Sequence, residues 1–129
     1  MGTNKRLPLR QLRGRVVLVD FWSSWCVHCR KSLPYFNKLR AALNTDQFEI
    51  YAINLDDEVE KAVAFLAKYP ITYPTVWDEE QNSPEDFNVM EMPTSFLVDQ
   101  NGVVHKIYVG FKEADILTYE NDIRRLLGR

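Results

Sequence analysis

Cysteine and histidine are both scarce in this chain: two of each in 129 residues. A closed structural zinc site needs a full tetrahedral set of ligands. Cys26, Cys29 and His28 are neighbours, but His105 falls inside a separate β-rich stretch and reads as a plain strand residue. No structural zinc is therefore expected. Long apolar runs are also missing. None approaches the roughly 18 residues of a membrane-spanning helix. No signal-peptide core followed by a small-residue cleavage site is present, and Met1-Gly2 is not a myristoylation signal because Arg6 stands where Ser or Thr is required. The formal net charge is only -2, which gives no reason to expect nucleic acid. There is no internal repeat, low-complexity tract, linker, or flavin- or nicotinamide-binding motif.

What is there is an ordinary globular composition, with 46% hydrophobic and 26% charged residues. The length fits one domain, 1–129, able to bury roughly two-thirds of its unfolded surface. Charge is uneven. Lys5, Arg6, Arg10, Arg13 and Arg15 come before any acid, while Asp56, Asp57, Glu58 and Glu60 cluster later, as do Asp78, Glu79 and Glu80. These read as solvated faces. A basic arm near an anionic membrane surface is the sharper alternative.

The two cysteines form a C-x-x-C pair, Cys26-Val27-His28-Cys29. Val16 to Trp22 is apolar without alternation at its start, as in a strand buried on both faces. Arg30 to Leu43 follows with Leu33, Phe36, Leu39 and Leu43 at helical spacing. Pro34 predicts a kink there. The thiols thus sit between a strand and a helix N-terminus, whose free N–H groups and partial positive charge favour a thiolate, the reactive form. Two thiols at this spacing can attack a substrate and then release it by closing on each other.

The rest of the chain reads as strand (Phe48–Leu55), helix capped by Asp56 or Asp57 with Val59, Ala62, Val63 and Leu66 inward, and short strand (Thr75–Trp77). A turn or short helix (Ser83–Val89) leads to a strand from Thr94 to Val98. Asp99-Gln100-Asn101-Gly102 marks a hairpin into Val103–Val109. A closing helix runs over 112–127 with Ile116, Tyr119, Ile123 and Leu126 inward. The order predicts an α/β fold, with early parallel strands and an antiparallel hairpin at one side of a mixed sheet flanked by helices.

Over nearly its whole length the sequence resembles the thioredoxin superfamily. Val19-Asp20-Phe21-Trp22-Ser23-Ser24-Trp25-Cys26-Val27-His28-Cys29 is similar to that superfamily's V-D-F-W-x-x-W-C-x-x-C. Pro34 stands in place of its helix-kinking proline, Met92-Pro93-Thr94 resembles its cis-proline segment, and Gly110 resembles the glycine ending its last strand. Within it the chain is most like the TlpA/ResA-type oxidoreductases. Leu9 to Trp22 is similar to their opening "L-x-x-L-x-G-K-V-V-L-V-N-F-W". Ser95-Phe96-Leu97-Val98-Asp99 is like "T-F-L-I-D", and 57–78 resembles the helix and strand they insert; residues 1–14 form an opening segment. The resemblance implies a thioredoxin-like three-layer sandwich. It implies an exported, periplasmic or membrane-anchored protein facing an oxidising compartment, with a cytoplasmic location as the alternative. Such proteins commonly reduce selected disulfides, as in cytochrome c maturation. Two positions depart from the branch. Asp20 is the buried acid of general thioredoxins where the branch often has Asn, and His28 is more typical of isomerases and strong oxidants.

The site residues follow. Cys26, first in the motif, is the nucleophile and Cys29 the resolving thiol. Asp20, costly to bury ionised, is the proton acceptor for Cys29, with a bonded core polar group as the plainer alternative. Trp25, Val27, Met92, Pro93 and Gly110 form a surface for an extended substrate peptide. His28 tunes the potential upward by stabilising the Cys26 thiolate. The expected activity is protein disulfide exchange by a monomer without cofactor or metal, reset by an upstream redox partner. Reductant, oxidant and isomerase remain open directions. The rival reading is a copper-handling module that binds Cu(I) through Cys26, Cys29, His28, Met90 and Met92.

Overall fold

The structure, a computed structural model, describes residues 2–3, 13–78 and 91–128. Six strands form one sheet: β1 (Gly2–Thr3), β2 (Val16–Trp22), β3 (Phe48–Asn54), β4 (Thr75–Trp77), β5 (Thr94–Val98) and β6 (Val104–Val109). The described helices are α1 (Cys29–Leu43), α2 (Val59–Lys68) and α3 (Glu113–Leu127). Spatial order is β1-β4-β3-β2-β5-β6. The pairs β1–β4, β4–β3 and β3–β2 are parallel, while β5 runs antiparallel to both β2 and β6. This is the expected mixed sheet. The expected Ser83–Val89 element, Met90 and most of the opening segment lie outside the described residues.

β2 occupies the middle of the sheet, and all seven of its residues are buried. That explains why Val16 to Val19 lacks alternation: both faces of the strand are covered. Side chains still alternate between the faces. Val17, Val19 and Phe21 join Tyr51, Ile53, Phe96 and Val98 in one cluster. Val16, Leu18 and Trp22 join the other, which also contains Cys26, Cys29 and the inward residues of all three described helices. Asp20 has the parity of Leu18 and Trp22, so its carboxyl points to the face that carries the cysteines.

α1 and α3 are locked together by aromatic rings. Phe36 meets Tyr119 edge-on at 5.4 Å and Phe111 at 6.2 Å. Tyr119 also packs on Tyr108 of β6, centroids 4.2 Å apart. Burial of each such ring stabilises the fold by roughly 1.5–3 kcal/mol, with about 0.5–1.5 kcal/mol more from ring geometry.

α2 differs from expectation in two respects. Its buried residues are Ala62 and Phe65, and Val63 is 52% exposed. Phe65 sets the facing because it packs against Trp22 at 5.3 Å and Tyr69 at 4.8 Å. The residue at its N-cap is Glu58, with no side-chain cap, rather than Asp56 or Asp57. Asp57 instead pairs with Lys61 one turn on, and Asp56 turns inward. The hairpin forms as read. Asp99 Oδ1 accepts from the N–H groups of Asn101 and Val103, both at 2.9 Å, and Gly102 takes the left-handed backbone the turn requires.

Candidate redox site

Ser23 to His28 is the link between β2 and α1. Its hydrogen bonds close tight turns. The Cys26 N–H donates to the Ser23 carbonyl (3.3 Å), Cys29 N–H to Cys26 (3.2 Å) and Arg30 N–H to Val27 (3.3 Å). α-Helical bonding takes over at Ser32, whose N–H reaches the His28 carbonyl at 3.0 Å. Cys29 is therefore the first residue of α1, and Cys26 sits just ahead of the helix. The two are joined as a disulfide with Cα atoms 5.3 Å apart. Cys29 is wholly buried and Cys26 retains 4% exposure. No acid occupies the first turn of α1 and no side chain caps it. Its positive end therefore acts on the sulfurs without a competing charge on the helix itself.

A clamp holds this link in place. Asp56, buried just beyond β3, accepts from the Ser24 N–H (3.0 Å) and the Ser24 hydroxyl (2.8 Å). Asn54 braces the same carboxylate through its side-chain amide at 2.8 Å and accepts the Asp56 N–H at 3.0 Å. The Trp77 indole donates to the Asp56 carbonyl at 2.7 Å, and the Trp22 indole to the Thr75 hydroxyl at 3.2 Å. Three strand ends are thereby tied to the turn that precedes the cysteines. Sequence reasoning missed this network. The one local signal is Asp56 just after a strand, which in the sequence reads as a helix cap.

Asp20 is fully buried. Its Oδ1 accepts the Ser95 hydroxyl at 2.8 Å from the neighbouring strand β5, where the two residues are in register. Its Oδ2 is buried with no hydrogen-bond partner among the described residues, as are the Ser23 and Ser32 hydroxyls. Burial outweighs the Ser95 hydrogen bond and pushes the Asp20 carboxyl up to about 7. The phenols of Tyr73 and Tyr119 are pushed up too, first by burial and then by the Asp20 charge.

The remaining sequence-predicted residues divide into a surface and its support. Trp25 and Val27 flank Cys26 and are 65% and 68% exposed. Large apolar side chains in that state form an exposed apolar patch around Cys26 among the described residues. The Met92–Pro93 peptide is cis. Met92 is half-buried and packs against the cluster that contains both cysteines, while Pro93 is buried. Gly110, with φ +75°, donates its N–H to the Pro93 carbonyl at 2.7 Å and so closes the end of the β5–β6 ladder behind that loop. His28 is exposed at the N-cap of α1. His105 is on β6 and pairs with Asp99 at 2.7 Å, apart from the cysteine turn. Among the described residues no group of three or more His, Cys, Asp or Glu could hold a metal ion. No described helix is long and apolar enough to cross a membrane.

Comparison with known proteins matches residues 2–107 to the AhpC/TSA family. Thiol-disulfide oxidoreductase ResA of Geobacillus kaustophilus is 33% identical over 102 residues, 79% of this chain and 59% of that protein. ResA of Bacillus subtilis is 31% identical over 121 residues, 93% of this chain and 68% of that protein. The chain thus spans about three-fifths to two-thirds of the length of these relatives. Among solved structures, one assigned as thiol:disulfide interchange protein DsbE from Chlorobium tepidum superposes with TM-score 0.89 at 40% identity, covering 93% of this chain and 85% of that one. StoA from Bacillus subtilis superposes with TM-score 0.73 at 27% identity, covering 84% of each.

Proposed function

Because the chain belongs to the AhpC/TSA family of thioredoxin-like proteins, we propose that it exchanges disulfides with protein substrates through Cys26 and Cys29. The observation that carries this reading is the Cys26–Cys29 disulfide at the N-terminus of α1, with a buried, half-satisfied carboxyl aimed at the same face of the sheet. In the reducing direction the Cys26 thiolate attacks one sulfur of a substrate disulfide. A Cys26–substrate disulfide forms and the other substrate sulfur leaves as a thiolate. Cys29 gives up its proton to Asp20 and displaces the second substrate sulfur. Two electrons have then passed to the substrate, and the Cys26–Cys29 disulfide must be reduced by a partner protein before the next turnover.

Each residue has a role in this scheme. The helix N-terminus stabilises the attacking thiolate. Asp20 has its pKa near neutrality, where a base is most useful. The exposed Trp25 and Val27, with the Met92–Pro93 loop and Gly110 beside β5 and β6, receive an extended stretch of substrate. The resemblance to ResA-type proteins favours the reductant of selected exported proteins, as in cytochrome c maturation, acting on the oxidising side of a membrane.

The test is reduction of insulin by the protein with dithiothreitol as electron source, followed by turbidity. The parent should accelerate precipitation well above dithiothreitol alone, and Cys26→Ser should abolish the acceleration. Equal rates for parent and Cys26→Ser would remove the proposal.

A further inference from the structure

We propose that Ser95 is a positioning residue for the Asp20 proton transfer: its hydroxyl fixes Oδ1 of the carboxyl as an acceptor and leaves Oδ2 as the atom that takes and gives the proton. The inference rests on the disulfide-exchange reading above and deepens it.

Three observations carry it. Ser95 and Asp20 are in register on adjacent antiparallel strands, both buried, with Oγ and Oδ1 2.8 Å apart. The other carboxyl oxygen, Oδ2, is equally buried and has no hydrogen-bond partner among the described residues. Ser95 is the second residue after Pro93, so the strand that holds the hydroxyl is the one that emerges from the Met92–Pro93 loop. A carboxylate has two equivalent oxygens, and a protonated carboxyl has one donor oxygen and one acceptor oxygen. A hydroxyl donating to Oδ1 makes that oxygen the acceptor in both states. The proton then resides on Oδ2, and the carboxyl need not rotate between accepting and releasing it. The hydrogen bond also favours the charged form, which opposes the burial that disfavours it. Without Ser95, Asp20 would hold its proton to higher pH and serve as a base over a narrower range.

The other groups that sense Asp20 from the elements packed on this face are the phenols of Tyr73 and Tyr119. The cysteines of the link and of α1 belong to the same cluster. Both phenols are held protonated by burial through the neutral range, so they do not obscure a titration of the carboxyl.

The experiment compares the parent, Ser95→Ala and Ser95→Thr. Two quantities are read for each: the titration midpoint of the Asp20 carboxyl carbon by 13C NMR of the intact protein, and the pH profile of insulin reduction. A hydrogen bond to an ionised group is worth about one to two pH units of midpoint. Ser95→Ala should move the NMR midpoint up by about that much and carry the lower limb of the rate profile with it. Activity should fall roughly tenfold near pH 7 and return toward the parent's value at higher pH. Ser95→Thr keeps the hydroxyl and should restore both midpoints. An unchanged NMR midpoint in Ser95→Ala overturns the proposal. So does a midpoint that moves while the rate profile stays, or a Thr variant as shifted as Ala. A parent that fails to reduce insulin at any pH overturns the functional reading, and the NMR midpoint alone then decides whether Ser95 fixes the carboxyl.

Discussion

Ser24 and Asp56 are 32 residues apart in the chain, and the Asp56 carboxylate accepts both the backbone N–H and the hydroxyl of Ser24. The contact fixes the turn two residues before Cys26. Hydrogen bonds to an ionised group are worth about 1.5–3 kcal/mol, and a buried donor left unpaired costs about 1–3 kcal/mol. Asp56→Ala, which also strands the Asn54 amide, should therefore destabilise the protein by about 3 kcal/mol. Ser24→Ala should destabilise it by about 1 kcal/mol. Urea unfolding of the oxidised proteins measures both. A loss under about 1 kcal/mol for Asp56→Ala would mean that the clamp does not hold the turn.

Asp20 sets a pH dependence of stability with a definite sign. Its carboxyl is raised from 3.8 to about 7 in the folded protein. Between those values the folded state keeps a proton that the unfolded state has released. Stability from this group is therefore full below about pH 4, falls as pH rises, and levels off above about pH 7. The whole change is on the order of 4 kcal/mol. Asp20→Asn should be more stable than the parent at pH 8, should lose this slope, and should reduce insulin more slowly. Thermal melts at pH 5 and pH 8 test it, and an Asp20→Asn protein with the parent's slope would contradict it.

His28 has backbone φ -71°, within the range that proline imposes, so His28→Pro can be made without straining that torsion. His28 is exposed at the N-cap of α1, two residues after Cys26. A donor or positive charge there stabilises the reduced state and raises the potential. Reference proteins run from about -270 mV for thioredoxin to about -120 mV for DsbA, and roughly -180 to -240 mV is expected here. Equilibration with glutathione should show His28→Pro lower by about 30 mV, equivalent to about 1.4 kcal/mol. An unchanged or higher value would remove His28 from the account.

In the reduced protein the two thiols should react unequally. Cys29 has no exposed surface in the structure, and Cys26 retains a little while lying ahead of the helix N-terminus. Alkylation near pH 7 with mass mapping should label Cys26 at least tenfold faster, following thiolate fraction and access. Equal rates, or faster labelling of Cys29, would reverse the assignment.

Much of this site was legible because its signals are local. The unalternated Val16–Val19 run named the central strand, and Asp99 to Gly102 named the hairpin. The C-x-x-C pair sits where strand gives way to helix. What escaped depends on residues far apart in sequence. Asp56 looks like a helix cap until β3 delivers it to Ser24, and Ser95 looks like an ordinary strand serine until register sets it beside Asp20. Periodicity alone places Val63 inward. The ring of Phe65 against Trp22 rotates α2 enough to leave Val63 outside, while Ala62 is buried and Leu66 packs on the core as its spacing predicts, an instance of packing adjusting pattern.

In the proposed reaction Cys26 makes, and Cys29 breaks, a mixed disulfide with protein substrates. Its most direct measurement is trapping. Reduced Cys29→Ser and Cys26→Ser proteins are mixed with oxidised insulin, quenched with acid, and analysed by mass spectrometry under non-reducing conditions. A stable insulin adduct linked through Cys26 should form in the Cys29→Ser protein and be released by dithiothreitol, and none should form in Cys26→Ser. An adduct formed through Cys29 in Cys26→Ser, or no adduct in either variant, would contradict it.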